Sequence, residues 1–214
     1  SDGLYFEPLS FESVREVIKR EEPLGVVCQF GGQTAINLAA PLDSAGIKVL
    51  GITSRAIDQT EDREQFDALM ERLNIPRPPG GTVLDYDHAV DIAHEIRFPV
   101  LVRPSFVLGG RAMQVIYTTD DLKVYIRENE HAFAGQPLLI DKFYRGKEVE
   151  VDVVSDGENV IIPGIMEHIE RAGIHSGDSM AVYPPQTLTD SCKQKIVEYS
   201  TSIARAINAQ GLIN

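Results

Sequence analysis

An arginine and a pair of glycines near the middle of the sequence are residue types that bind phosphate groups. Arg103 ends an apolar run typical of a buried strand, and Gly109 and Gly110 follow shortly after it. A guanidinium stays charged and can donate two hydrogen bonds to one phosphate, while glycine lets backbone N–H groups approach an anion closely. The segment matches neither the Walker pattern nor the dinucleotide-binding pattern. From these residues alone, a hairpin with an exposed arginine is the more common explanation.

The histidines and cysteines do not indicate a zinc centre or a nucleophile. His168 and His175 have no third ligand near them in the sequence, and a zinc site needs at least three protein ligands. No Ser/His/Asp or Cys/His set is recognisable. Cys28 falls in a predicted buried strand and acts there as a small apolar residue. Cys192 is the only other cysteine in the sequence, so a disulfide framework is not indicated. We therefore expect a reducing, cytoplasmic compartment.

The elements that would position these residues begin with a Rossmann-like unit. The pattern predicts a helix capped by Ser10, a strand at 25–30, a turn at Gly31, a helix ending at Gly46 and a strand at 48–51. A strand, a glycine turn, a helix and a second strand form a βαβ unit of a parallel sheet. Only part of such a sheet is present, so we expect the sequence to begin inside a domain.

A second α/β region follows. An amphipathic helix at 60–74, capped by Thr60, leads to a linker that contains Pro76, Pro78 and Pro79. Beyond the linker the periodicity predicts strands at 82–84, 99–103, 115–117 and 138–141, with helices at 87–96 and, capped by Thr119, at 119–129.

The last third of the sequence opens on a strict alternation of acids and valines. Glu148, Glu150 and Asp152 alternate with valines, which predicts a half-buried antiparallel strand whose acidic side is the wet face. A hairpin turn at 155–158 leads to a return strand. We predict a functional loop at 167–179, which has few apolar residues. A helix at 190–208 and the start of a strand at 212 complete the pattern, and we expect both ends of the sequence to be cut.

Composition limits the classes of partner. Lys and Arg total 20 against 32 Asp and Glu, a formal charge of −12, which argues against a nucleic-acid or anionic-membrane surface. One nucleotide site needs only two or three local cations and is not excluded. Hydrophobic residues make up 43% and charged residues 24%, as in an ordinary globular protein. No apolar run approaches the roughly 20 residues of a membrane helix, and the first residues do not resemble a secretory signal.

Longer strings in the sequence are more specific than any single motif. Residues 98–112 read FPVLVRPSFVLGGRA. Four further strings agree with one known family in sequence and in order: FGGQT at 30–34, EDR at 61–63, MEHIE at 166–170 and GIHSGDS at 173–179. Together these strings resemble the large chain of carbamoyl-phosphate synthase, an ATP-grasp enzyme, over essentially the whole sequence. The strings at 107–113 and 166–179 are more similar to the second, carbamate-phosphorylating half of that chain than to the first.

The resemblance implies a mixed α/β and α+β fold. Its parts would be a partial Rossmann-like pre-ATP-grasp domain at 1–57, an ATP-grasp small subdomain with a connecting helix and glycine loop at 58–141, and a truncated large subdomain at 142–214. It also implies cofactors, namely ATP, magnesium or manganese, and potassium. The family's magnesium-binding Gln and Glu would lie beyond Asn214.

The resemblance further implies roles for individual residues. Arg63 and Arg103 would contact the nucleotide phosphates, under a mobile loop that contains Gly109 and Gly110. From spacing alone Arg63 is a solvated helix charge. The residues of the adenine connector and of the nucleotide-lining loop would be Lys142, Tyr144, Gly173, Ile174, His175 and Ser176.

Further residues are implied at a cation site and near the acceptor. Glu148 would contact the ribose and a monovalent cation, with His168 and Ser179 as potassium ligands. A hydroxyl oxygen suits potassium, whereas a histidine is a less typical ligand. Gln33 begins a helix after two glycines, and both a contact to bicarbonate or carbamate and a packing role are open. The roles of Glu150 and Asp152 are also open.

The activity implied by the resemblance is phosphorylation of carbamate by ATP, giving carbamoyl phosphate for pyrimidine and arginine synthesis. The partners would be a glutaminase small subunit and the remaining large-chain domains, and we expect the present chain to be inactive alone. Two alternatives are open. One is another ATP-grasp ligase, such as a biotin-dependent carboxylase or a purine-pathway enzyme, and the other is a non-catalytic nucleotide-sensing module.

Overall fold

The computed structural model describes residues 2–104, 113–129, 137–174 and 179–214. The chain divides into two compact units, each built from separate segments. The first unit contains the residues up to 75 together with 151–165 and 187–214, and the second contains the described residues of 76–150 and 166–186. The division of the sequence into segments 1–57, 58–141 and 142–214 remains a prediction.

The first unit begins with the predicted βαβ arrangement. Helix α1 (Phe11–Glu21) begins after Ser10, whose hydroxyl accepts from the Ser13 amide at 3.3 Å. Strands β1 (Val26–Val27) and β2 (Val49–Leu50) pair in parallel. The connection contains two short helices, α2 (Gly32–Ile36) and α3 (Ala39–Ser44), so the prediction of one continuous helix is wrong. Pro41 explains the break, because proline has no N–H and its ring clashes with the preceding turn of a continuous helix.

Two helices replace the single helix predicted at 60–74. Helix α4 (Ser54–Glu61) is capped by Thr53, and helix α5 (Arg63–Arg72) is capped by Asp62, whose carboxylate accepts from the Gln65 amide at 2.8 Å. The prediction that Thr60 caps the helix is wrong. Its hydroxyl donates to the Ala56 carbonyl at 3.0 Å within α4, while the extended backbone of Asp62 supplies the cap and separates the helices.

The second unit contains a four-stranded antiparallel sheet in the order β3-β6-β4-β5. Its strands are β3 (Gly80–Val83), β4 (Val100–Pro104), β5 (Gln114–Ile116) and β6 (Leu138–Lys142). Helices α6 (Tyr86–Ile96) and α7 (Thr119–Glu128) pack against it. Their shared core is apolar and includes Val100, Val102, Ile116, Leu122 and Ile140, none more than 1% exposed. Helix α7 is capped by Thr118, one residue before the predicted cap at Thr119.

A second four-stranded sheet has the order β10-β7-β8-β9. Its strands are β7 (Lys147–Asp156), β8 (Val160–Arg171), β9 (Ala181–Val182) and β10 (Gln210–Ile213). The predicted hairpin joins β7 to β8, with Gly157 at a φ of +99°. The prediction of a loop from residue 167 is wrong at its start, since β8 continues to Arg171. Its polar side chains Glu167 and His168 are buried with hydrogen-bond partners, so low apolar content did not require a loop.

The remaining helix, α8 (Asp190–Ala206), is capped by Thr189 and belongs to the first unit. Within that unit a second apolar core joins α4, α5 and α8 to part of β7, and its buried members include Leu69, Met70, Val153 and Ala204. A third, smaller core surrounds Cys28, which is 4% exposed. Burial raises the pKa of the Cys28 thiol, which agrees with an unreactive apolar role. None of the helices in the described parts of the chain is long and apolar enough to cross a membrane.

Candidate functional site

Arg103 lies on the face of β4 that points away from the helices of the second unit. The burial of β4 alternates, so that Val100 and Val102 enter the core while Arg103 is exposed. Arg103 is paired in register with Leu139 on β6. An exposed guanidinium therefore stands at the end of β4, on the face opposite the helices. Gly109 and Gly110, the predicted phosphate loop, lie outside the described residues.

A backbone hydrogen bond and the side chain of Lys142 hold the segment between β6 and β7 in place. The Lys142 ammonium donates to the carbonyls of Arg97 at 2.7 Å and Phe98 at 3.0 Å. The Phe143 amide donates to the Pro99 carbonyl at 3.1 Å. Tyr144 is 58% exposed. The Lys142 side chain therefore fixes the start of this connector. Of the two predicted connector residues, Lys142 and Tyr144, it is Tyr144 whose side chain is accessible to a ligand.

The structure brings the connector and the predicted nucleotide-lining loop together at Gly173. This glycine has a φ of +97°, and a Cβ added to it would lie 3.2 Å from the Phe143 ring. Its amide donates to the Glu148 carboxylate at 3.3 Å. Ile174 follows with 45% of its surface exposed. Two residues predicted to contact the nucleotide, Glu148 and Gly173, are therefore in direct contact within the second unit.

His175 and Ser176, the other predicted members of that loop, lie outside the described residues.

His168 is the buried centre of a polar cluster with Glu150 and Ser179. Its side chain is 4% exposed, with Nε2 at 3.0 Å from the Glu150 carboxylate and Nδ1 at 2.9 Å from the Ser179 hydroxyl. In a neutral ring, Nε2–H donates to the carboxylate and Nδ1 accepts from the hydroxyl. The His168 ring is thus hydrogen-bonded to Glu150, whereas Glu148 contacts Gly173.

The predicted potassium ligands fit a cation unequally. Carboxylate and hydroxyl oxygens such as those of Glu148 and Ser179 are donors that hard cations accept. Both nitrogens of the His168 imidazole are within hydrogen-bond distance of other side chains, so the ring would have to give up one of these bonds to bind a cation. In the described part of the chain, no group of three or more His, Cys, Asp or Glu residues could hold a metal ion.

Arg63 belongs to the first unit and has a local partner. It is the first residue of α5, its side chain is 23% exposed, and its Nε donates to the Asp67 carboxylate at 3.0 Å. The pair lies one helical turn apart, which is a common spacing for helix ion pairs. The structure therefore gives Arg63 a defined orientation on α5.

Sequence reasoning missed a second buried polar cluster, which surrounds Glu167. This carboxylate is 2% exposed, forms an ion pair with Lys147 at 3.0 Å and accepts from the Gln186 amide at 2.8 Å. Glu167 was part of a string that carried the resemblance, but no pattern indicated that it is buried. The resemblance placed Phe143 in the adenine connector with Lys142 and Tyr144, but the packing of its ring on Gly173 was not predicted.

Two family models match this chain. Residues 62–214 match the family model described as the carbamoyl-phosphate synthase L chain, ATP binding domain. Residues 1–59 match the carbamoyl phosphate synthase preATP-grasp domain.

The fold is similar to those of solved ATP-grasp structures. A biotin carboxylase from Campylobacter jejuni, in a β,γ-ATP complex, has a TM-score of 0.77 at 23% identity over 95% of this chain and 47% of its own. The biotin carboxylase domain of Hydrogenobacter thermophilus 2-oxoglutarate carboxylase, in complex with MgADP and bicarbonate, has a TM-score of 0.77 at 22% identity. The match covers 98% of this chain and 49% of the other. A D-alanyl-alanine synthetase A from Vibrio cholerae has a TM-score of 0.70 at 20% identity, and the match covers 89% of this chain and 61% of the other.

These likenesses confirm the predicted fold, a pre-ATP-grasp segment followed by an ATP-grasp fold. At such low identities they carry the fold alone. The chain spans about half the length of the two carboxylases.

Proposed function

Because this chain belongs to the carbamoyl-phosphate synthase large-chain family, we propose that it provides the ATP site at which carbamate is phosphorylated. The observation that carries the proposal is the contact of Glu148 with Gly173, two residues distant in the sequence for which the resemblance implies contacts with the nucleotide. The strings at 107–113 and 166–179 favour the second, carbamate-phosphorylating half of the large chain over the first.

The proposed reaction is in-line transfer of a phosphoryl group from ATP to a carboxylate oxygen of carbamate. Such a reaction requires positioning and charge neutralisation rather than a protein nucleophile. Arg63 and Arg103 would neutralise the phosphates, and the loop with Gly109 and Gly110 would close over them and exclude water. Magnesium or manganese bound with the nucleotide would add positive charge at the phosphates.

The base and ribose would be held by the second unit. The backbone of the connector around Tyr144 would contact adenine, and Lys142 would hold that connector in place through its bonds to two carbonyls. Glu148 would accept from the ribose hydroxyls, and the residues from Gly173 to Ser176 would line the nucleotide. For potassium we propose the oxygens of Glu148 and Ser179 alone, without the imidazole of His168.

The proposal includes partners and a cellular role. Ammonia would come from a glutaminase small subunit, and carbamate would come from the bicarbonate-phosphorylating half of the large chain. The product would supply pyrimidine and arginine synthesis in the cytoplasm. Since the chain spans about half the length of its structural relatives, we propose that the chain alone does not complete the reaction.

A second candidate is a different ATP-grasp ligase that acts on bicarbonate. The observation that favours it is the likeness to a biotin carboxylase domain solved with MgADP and bicarbonate, since bicarbonate and carbamate both offer a carboxylate-type oxygen. The two functions differ in the acyl phosphate that they make, and this difference can be measured. A nucleotide-sensing module is the further outcome if ADP binds and no transfer occurs.

The test is synthesis of ATP from MgADP and carbamoyl phosphate by the large chain that contains this sequence. We expect synthesis that falls at least about 100-fold in Arg103→Ala, because charge stabilisation of a transferring phosphoryl group is of that order. Arg127→Ala, at an exposed position of α7 in the same unit, is the control and should leave the rate unchanged. A folded chain that binds MgADP without making ATP would contradict the proposal.

A further inference from the structure

Strand β8 buries a charged side chain that the proposed chemistry does not use. Glu167 is 2% exposed and is among the largest fully buried side chains of the described residues. A buried carboxylate without partners would be costly, because it loses its hydration. Its position therefore requires groups that hold it.

Groups on different segments hold the Glu167 carboxylate. The Lys147 ammonium lies 3.0 Å from one oxygen, and the Gln186 amide donates to the other at 2.8 Å. Lys147 is itself 50% exposed, so the ion pair joins an accessible cation to a buried anion. A buried ion pair contributes little net stability compared with apolar residues of the same size, and its clearest consequence is a fixed geometry.

The geometry that this pair fixes is the start of β7. Lys147 is the first residue of β7 and directly precedes Glu148. Two residues further along, Glu150 is bonded to His168, the neighbour of Glu167 on β8. The residues on both sides of Glu148 are thus tied to adjacent positions of β8. Glu148 in turn accepts from the Gly173 amide.

We propose that Glu167 and Lys147 form a positioning pair that sets the place of Glu148 and, through it, of Gly173. The pair touches no nucleotide itself. Its function is to hold the carboxylate that orients the Gly173 loop, so the inference rests on the nucleotide-binding part of the proposed function.

The first test is the dissociation constant of ADP for the full chain, measured by calorimetry. Lys147→Met should weaken ADP binding about 10-fold, which is the order expected when one hydrogen bond to the ligand is weakened. Glu167→Gln keeps the size of the buried side chain but loses the ion pair, and should change affinity in the same direction. Lys147→Arg preserves the charge and should restore affinity to within about twofold of the wild type.

The matched control is Lys193→Met. Lys193 forms an ion pair of similar length, 3.1 Å, with Asp190 on α8, where the aspartate is 99% exposed. This variant loses a lysine and an ion pair but should leave ADP affinity unchanged. Wild-type affinity in both Lys147→Met and Glu167→Gln would overturn the positioning pair. Absence of ADP binding by the wild-type chain would overturn the nucleotide site itself and this inference with it.

A second measurement needs no ligand. Hydrogen exchange at the Gly173 amide reports its bond to Glu148 directly. We expect faster exchange at Gly173 in Lys147→Met and wild-type exchange in Lys193→Met. If Lys147→Met lowers the unfolding temperature while Gly173 exchange and ADP affinity stay at their wild-type values, the pair is only structural and the inference is wrong.

Discussion

The two four-stranded sheets in the described residues differ in their buried side chains, because only the second also buries charged and polar groups. In the sheet β3-β6-β4-β5, one face is covered by α6 and α7, and the buried side chains are apolar. In the strand pair β7 and β8, the buried positions include Glu167 and His168, each with partners on other segments. An apolar position requires only a neighbour of the right volume, whereas a buried polar position requires a particular partner. The predicted nucleotide contacts at Glu148 and Gly173 are beside the polar positions.

The largest effect should come from the apolar sheet. Leu122 on α7 is fully buried against this sheet, so Leu122→Ala should lower the free energy of unfolding by about 2–5 kcal/mol. Val124 is on the same helix and 41% exposed, and Val124→Ala should cost much less. Urea unfolding of both variants measures the difference. Equal losses would mean that α7 does not pack as described.

A smaller effect should come from the polar strand pair. His168→Ala removes the hydrogen bonds that the imidazole forms with the Glu150 carboxylate and the Ser179 hydroxyl, and it should cost about 1–3 kcal/mol. His88 also pairs with an acid, at 2.7 Å from Asp85, but its side chain is 73% exposed. His88→Ala is therefore the control, and its unfolding curve should lie close to that of the wild type. A larger loss in His88→Ala would contradict the account.

The same contrast explains what the sequence could predict. The strands and helices of the apolar sheet follow from hydrophobic periodicity, and β4, β6, α6 and α7 lie where that periodicity predicts them. Errors arose where a single residue decides where a helix begins or is interrupted. Asp62, not Thr60, begins a helix, and Pro41 divides another.

The candidate site was less predictable from the residues alone. The contact between Glu148 and Gly173 joins segments that are distant in the sequence, and only the family resemblance implied that they act together. The partners of Glu167 and His168 could not be predicted, because a polar residue in a sequence carries no sign of its burial. The extension of β8 to Arg171 was missed for this reason. The glycine loop around Gly109 lies outside the described residues and stays a prediction.

Two glycines with different surroundings, Gly173 and Gly146, test how tightly the predicted nucleotide loop is constrained. Gly173 has a φ of +97° and little room beside Phe143, so Gly173→Ala should cost about 1–2 kcal/mol of stability through backbone strain. Gly146 lies in the connector with nothing within 4 Å of an added Cβ. Gly146→Ala is the matched control and should leave the unfolding temperature near the wild-type value. If both variants behave alike, the positive φ at Gly173 does not constrain the loop.

The smallest effect should come from the exposed turn between β7 and β8. Hydrogen bonds from the Asn159 side chain and from the amides of Asn159 and Glu158 lower the pKa of Asp156 to about 2. A lowered pKa in the folded state means that this carboxylate stabilises the turn above its unfolded pKa of about 3.9. That contribution is lost as the pH falls through about 2. An NMR titration should give this value, and a pKa near 3.9 would contradict the described turn.

The most direct test of the central claim is a titration of the chain with ADP, followed through its backbone amide NMR signals. The account predicts saturable shifts at Glu148, Gly173 and the connector around Tyr144, and weaker binding in Arg103→Ala than in the control Arg127→Ala. Shifts confined to other parts of the chain, or equal affinity in the two arginine variants, would contradict the assignment of the nucleotide site.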